Sequence, residues 1–205
     1  MPNIWRIPLT TLAKIDRYAT ARQPKNISLK QLEALLLGQA RMAKARRGPP
    51  RPEEFAKHAQ WLQEELPIRN ARVLVDFNRL PFIALRCEAL ANVWECYAED
   101  FQVLSTIPTI TSGKQVLDFV EELKKSQQRR ALVVQKTRQA IGDLRQFPDV
   151  RENLETFLEK VFLTRIGRLL LEDHFIASVD HAVNTAADPL STPEGDGLVT
   201  ETRIG

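Results

Sequence analysis

The chain has 205 residues, 43% hydrophobic and 27% charged, which is enough length and apolar content for a buried core of the kind found in ordinary soluble domains. Lys and Arg number 29 against 26 Asp and Glu, and the excess of +3 is too small for a nucleic-acid surface without a concentrated basic face; the one basic cluster, Arg41 to Arg47, ends in Gly48-Pro49-Pro50 and reads as a loop. Cys87 and Cys96 lie on different faces of one predicted helix, too far apart to bridge and without a Cys/His cluster to hold zinc, and no apolar run of about 18 residues exists to span a membrane.

Residues 1–8 are an N-terminal extension. The first twenty-five residues carry Arg6, Lys14, Arg17, Arg22 and Lys25 against a lone Asp16, the acid-poor bias of a mitochondrial presequence. The same stretch places Leu9, Leu12, Ile15 and Ala19 at helical spacing, so we read 9–22 as a first short helix, closed by Pro24. Ser28 with Gln31 forms a capping box that starts a second short helix carrying Leu29, Leu32, Leu35 and Leu36, with Gly38 as a stop.

Pro52, Glu53 and Glu54 mark the next helix start. Phe55, Ala59, Leu62, Leu66, Val73 and Phe77 then trace one face as far as Leu80-Pro81, with Pro67 inside the run as a predicted kink. A second long segment, about 84 to 104, carries Leu90, Val93, Tyr97, Phe101 and Leu104. A third runs from Ser112 to Gln146 and a fourth from about Asp149 to Ala177. Strand signals are nearly absent. Four long amphipathic segments on short connectors predict an all-α domain over 9–180, an up-and-down four-helix bundle preceded by two short helices. Residues 181–205, rich in Thr, Asp, Pro and Gly, predict a disordered tail.

Two features bear on chemistry. The polar run Lys124 to Arg130 interrupts an amphipathic helix, which fits either a solvated surface or a site. Arg165 lies in the apolar run Val161 to Ile166, where a guanidinium must reach solvent along its stem or be paired. As a site, Arg130 and Arg165 from neighbouring helices clamp a small carboxylate, with Arg129 beside them and Thr164 adding a hydroxyl; Glu121 or Glu122 compete as partners. The histidines His58, His174 and His181 lack the surroundings of a phosphoacceptor, so a histidine phosphotransfer bundle ranks below a non-catalytic helical scaffold as an alternative. No catalytic and no metal-binding residue is assigned.

The block Glu65-Leu66-Pro67-Ile68-Arg69-Asn70-Ala71-Arg72 with Leu80-Pro81 resembles the E-L-P-V-R-L-A and L-P of the mitochondrial 2-oxo acid dehydrogenase kinases, the pyruvate and branched-chain types. Ile27 to Leu32 looks like the family's L-S-M-K-Q-F, Tyr97 with Phe101 its W-Y-x-x-S-F, and Phe157 to Lys160 with Thr164 to Gly167 its F-L-D-R-F-Y-x-S-R-I. The likeness covers roughly residues 9 to 178. Cys96 stands where the family has Trp and Asp100 where it has Ser. The family's Arg-His pair aligns with Arg129 and Arg130, and an arginine of its last helix falls on Leu169, next to Arg168.

The resemblance implies the N-terminal regulatory domain of a protein serine kinase of the mitochondrial matrix. It implies an effector pocket for small 2-oxo acids at Arg129, Arg130, Thr164 and Arg165. It also implies docking of the lipoyl domain of the dehydrogenase core at Ile27, Leu32 and Leu35, with leucines in place of family phenylalanines. Mg-ATP is the cofactor of full-length members. These 205 residues show none of the family's nucleotide motifs beyond a lone Gly195-Asp196-Gly197, which reads as a turn, so no cofactor and no phosphoryl transfer are expected of this polypeptide by itself.

Overall fold

A computed structural model describes residues 8–21 and 51–187. Among them every regular element is a helix, as the apolar spacing requires: α1 (Leu9–Ala21), a 3-10 turn (Pro52–Phe55) running into α2 (Ala56–Phe77), the short α3 (Phe82–Leu85), α4 (Glu88–Leu104), α5 (Gly113–Arg129), α6 (Val133–Leu144) and α7 (Pro148–Ala187). The predicted short helix from Ser28 lies outside the described residues.

The apolar stripe of α2 is buried at each expected position, from Phe55 through Ala59, Leu62, Leu66 and Val73 to Phe77. Pro67 sits within one unbroken helix. It has no N–H to give to the Gln63 carbonyl one turn earlier; the Gln63 side chain separately ties this turn to the loop before α5, its Nε2 donating to the carbonyls of Ile107, at 2.6 Å, and Pro108, at 2.9 Å. The stripe of α4 is likewise buried at Leu90, Val93, Tyr97, Phe101 and Leu104. On its outer side α1 packs against α2 and is tied to the end of α4 by Lys14 Nζ donating to Ser105 Oγ at 2.8 Å and by the edge-on contact of Tyr18 with Phe101.

Contacts run from α2 to α4, from α4 to α6, from α6 and α5 to α7, and from α7 back to α2. This closes a circuit around the interior, and the interior is in two parts. One core joins Ala71 to Phe77, Leu90 to Phe101, Val133 to Leu144 and Val150 to Val161. The other joins Phe55 to Leu66, Leu104, Ile110, Val116 to Leu123 and Leu171 to Ala182.

The structure departs from the sequence reading in two places. The segment from Ser112 is not one helix: it breaks at Arg130 to Leu132, where the Ala131 and Val133 N–H groups bond to carbonyls three residues back, Gln128 and Arg130, and Leu132 turns outward with 57% exposure. The last helix does not stop near 177 or at the domain limit of 180. It continues to Ala187, because Phe175, Val179 and Ala182 keep the three-and-four spacing and are fully buried.

α5 starts at a capping box, with Ser112 Oγ accepting from Gln115 N–H and the Gln115 side chain accepting from the Ser112 N–H. Ser112→Ala is expected to lower stability by about 1 kcal/mol in urea unfolding.

Candidate functional site

The two cores meet at a polar layer to which each long rod contributes. Asn70 comes from α2, Asp100 from α4, Ser126 from α5, Arg130 from the helix break, and Arg168 with Glu172 from α7; all are fully buried. Each occupies the inward phase of its helix, in step with Leu66 and Leu74, Tyr97 and Leu104, Leu123, and Val161 and Phe175. Burying ions is costly unless each is paired and hydrogen-bonded, and here the pairing is dense.

Arg168 is the hub. Its Nη2 lies 2.6 Å from Glu172 Oε1 and 3.0 Å from Asp100 Oδ2, its Nε donates to Glu172 Oε1 at 3.1 Å, and its Nη1 donates to Asn70 Oδ1. Arg130 Nη2 grips both oxygens of Glu172, at 2.9 and 2.7 Å, and Ser126 Oγ at 3.0 Å. Its Nε faces Asp100 Oδ2 at 3.1 Å. Arg129, at the rim, joins Asp100 Oδ1 at 3.2 Å to Glu122 Oε1 at 2.9 Å. Burial by itself would raise the Asp100 carboxyl, but Arg168 and Arg130 hold it below the ordinary carboxylate range. Burial opposes the charge of Arg168, and Glu172 and Asp100 overcome it, keeping the guanidinium protonated. Burial pushes up the Tyr97 phenol, against the pull of Arg168, Arg130 and Arg165; the Tyr97 hydroxyl and Arg130 Nη1 are buried without a hydrogen-bond partner among the described residues.

The polar run Lys124 to Arg130 is therefore not merely a solvated face. Ser126 and Arg130 follow Leu123 at spacings of three and four and point inward, while Lys125 and Gln128 are exposed. Of the four residues expected to form a carboxylate clamp, the structure gathers three: Arg129 and Arg130 in the layer, and Arg165 beside it, its Nη1 donating to the Arg130 carbonyl at 3.0 Å. Thr164 is half-buried and enters none of these hydrogen bonds. Glu122 does pair with Arg129, as the sequence allowed. The sequence reading missed Asn70, Asp100, Arg168 and Glu172, although polar residues in the inward phase of each rod were the available signal.

The family-like block around Pro67 feeds the same layer. Glu65 and Arg69 form an ion pair at 2.9 Å across the proline, and Asn70 donates to Asp100 Oδ2 at 3.2 Å while accepting from Arg168. Opposite them α7 comes close at Gly167, where an added Cβ would lie 3.4 Å from Arg69 Nη1.

His58 is buried beside Phe175, edge-on at 5.1 Å, and near Trp61, not displayed as a surface phosphoacceptor. His174 is half-buried with its ring against Ser178 Oγ, and His181 is exposed. Ile27, Leu32 and Leu35 lie outside the described residues. Among the described residues no group of His, Cys, Asp and Glu side chains is placed to hold a metal ion, and no helix is long and apolar enough to cross a membrane.

The described residues form an all-helical domain whose rods close on this layer, with the Glu65 to Arg72 block contributing to it. Residues 27–197 match the family of mitochondrial branched-chain alpha-ketoacid dehydrogenase kinases, and the chain belongs to that family. It is similar to the mitochondrial pyruvate dehydrogenase (acetyl-transferring) kinase of Arabidopsis thaliana, 29% identical over 57% of this chain and 32% of that one. Isozyme 1 of Homo sapiens is 25% identical over 56% of this chain and 28% of the relative, and the probable kinase of Caenorhabditis elegans is 28% identical over 57% and 30%. The match thus spans about three tenths of the length of these relatives, all named mitochondrial.

Proposed function

We propose that this chain is the regulatory and lipoyl-domain-docking part of a protein serine kinase that acts on a 2-oxo acid dehydrogenase complex in the mitochondrial matrix. The observation that carries the reading is the family match over residues 27–197, which includes the leucine-rich segment with Ile27, Leu32 and Leu35 as well as every described helix after α1. Those three apolar residues supply the contact for the lipoyl arm, an extended aliphatic chain that an apolar surface accepts by removing it from water. Mg-ATP and phosphoryl transfer are implied for full-length members of the family and are not assigned to any of these 205 residues.

The test is calorimetry of the 205-residue chain with an isolated lipoyl domain, lipoylated and unlipoylated. Binding of the lipoylated form, weakened about tenfold or more by Leu32→Asp, supports the proposal. Equal or absent binding of the two forms removes it and leaves the helical scaffold.

A further inference from the structure

One of the arginines in which the sequence suggested a clamp for a free carboxylate, Arg130, already holds one jointly with Arg168, and it belongs to the chain, whereas Arg165 donates to the Arg130 carbonyl instead. Glu172 presents both carboxylate oxygens to Arg130 Nη2, at 2.9 and 2.7 Å, and Oε1 to Arg168 Nε and Nη2, at 3.1 and 2.6 Å. This is the contact set that a small carboxylic acid would make with a pair of guanidinium groups.

Charge counting sharpens the point. Among the described residues the fully buried ions of the layer are Arg130 and Arg168 on one side and Asp100 and Glu172 on the other, and at the rim Arg129 is matched by Glu122, so the layer is neutral as it stands. An added anion would leave uncompensated negative charge in a region shut off from water, unless it displaced one of the resident carboxylates. A free acid must surrender translational and rotational freedom to do so, whereas Glu172 is fixed one helical turn from Arg168 on α7 and surrenders none.

We infer that Glu172 is a built-in ligand: its carboxylate occupies from within the chain the two-arginine site that would otherwise take a small free carboxylate such as a 2-oxo acid, and holds the bundle in its ligated arrangement whatever the concentration of such acids. The inference goes beyond docking to the dehydrogenase core and is independent of it. It makes the Arg130 and Arg168 pair insensitive to such acids.

Thermal unfolding followed by circular dichroism tests it by chemical rescue. In Glu172→Ala the missing carboxylate leaves Arg130 and Arg168 facing a vacated space. Its midpoint is expected to fall by about 10 °C and to recover about 3 °C or more when acetate or pyruvate, but not chloride at equal ionic strength, is added at high millimolar concentration. The parent chain and Glu172→Gln, which keeps the side chain's volume, are expected to show no midpoint change with pyruvate beyond that with chloride.

A parent chain stabilised by pyruvate would overturn the proposal, and that measurement stands even if the alanine variant does not fold. A folded Glu172→Ala that acetate and pyruvate leave unchanged would overturn it as well. Failure of lipoyl-domain binding would leave both readouts untouched, so the two proposals fail separately.

Discussion

Arg168→Ala is expected to lower the unfolding free energy by about 3–5 kcal/mol, because it removes one partner from a buried cluster and leaves Asp100 and Glu172 sharing only Arg130 and the rim arginine. Exposed ion pairs elsewhere contribute far less: Arg151 with Glu155, at 2.7 Å but three-quarters and two-thirds exposed, is worth little because water screens it. The comparison that isolates charge from packing is Arg130→Met combined with Glu172→Leu. It removes one ion of each sign and keeps the Arg168 to Asp100 pair, so the loss should be clearly smaller than for Arg168→Ala. Urea unfolding of the three proteins checks this. A loss for Arg168→Ala of only about 1 kcal/mol would mean that the layer is wet and weak.

Acid should destabilise the domain well before its carboxylates titrate. Burial, and to a lesser degree the neighbouring His174, lower the His58 pKa from 6.5 to about 4. The folded state therefore resists a proton that the unfolded chain accepts. Stability is full above pH 6.5, falls as the pH drops from there to about 4, and is flat for this group below that. The gap corresponds to about 3 kcal/mol. His174, also lowered by burial, acts in the same direction. Asp100, held down by its arginines, adds a loss only at still lower pH, as it takes up a proton. Unfolding midpoints across this range should slope steeply for the parent chain and clearly less for His58→Phe, which keeps a ring against Phe175 and Trp61 but cannot titrate and leaves only the contribution of His174. Equal slopes in the two proteins would locate the acid sensitivity elsewhere.

The helical class and the buried stripes were legible because apolar residues at three-and-four spacing leave few other readings. Phe55 to Phe77 and Leu90 to Leu104 were assigned to their buried faces from the pattern alone. The break at Arg130 was not, since Ser112 to Gln146 contains no proline before Phe147, and its only glycines, Gly113 and Gly142, lie far from it. It occurs where a carbonyl takes a hydrogen bond from Arg165, a residue 35 positions away. The end of α7 lies further on for the opposite reason: the Thr, Asp, Pro and Gly content of 181–205 suggested a tail, while Val179 and Ala182 still met the core.

The site was half legible. A lone arginine in an apolar run drew attention to Arg165, but polarity lowered the apparent amphipathicity of the layer residues and hid them, when their phase should have marked them as buried. That Asp100 and Glu172, 72 positions apart, answer the same two arginines is a fact of packing which no local window contains.

The interruption between α5 and α6 also divides the apolar packing. Among the described residues the buried apolar side chains of α5 belong to the core with Phe55 and Phe175, and those of α6 to the one with Phe77 and Phe157, so the packing changes core at this joint. α7, whose 40 residues make a rod of about 60 Å, has no such joint. This single rod therefore furnishes Val150 to Val161 to one core and Leu171 to Ala182 to the other, with the arginine hub near its middle.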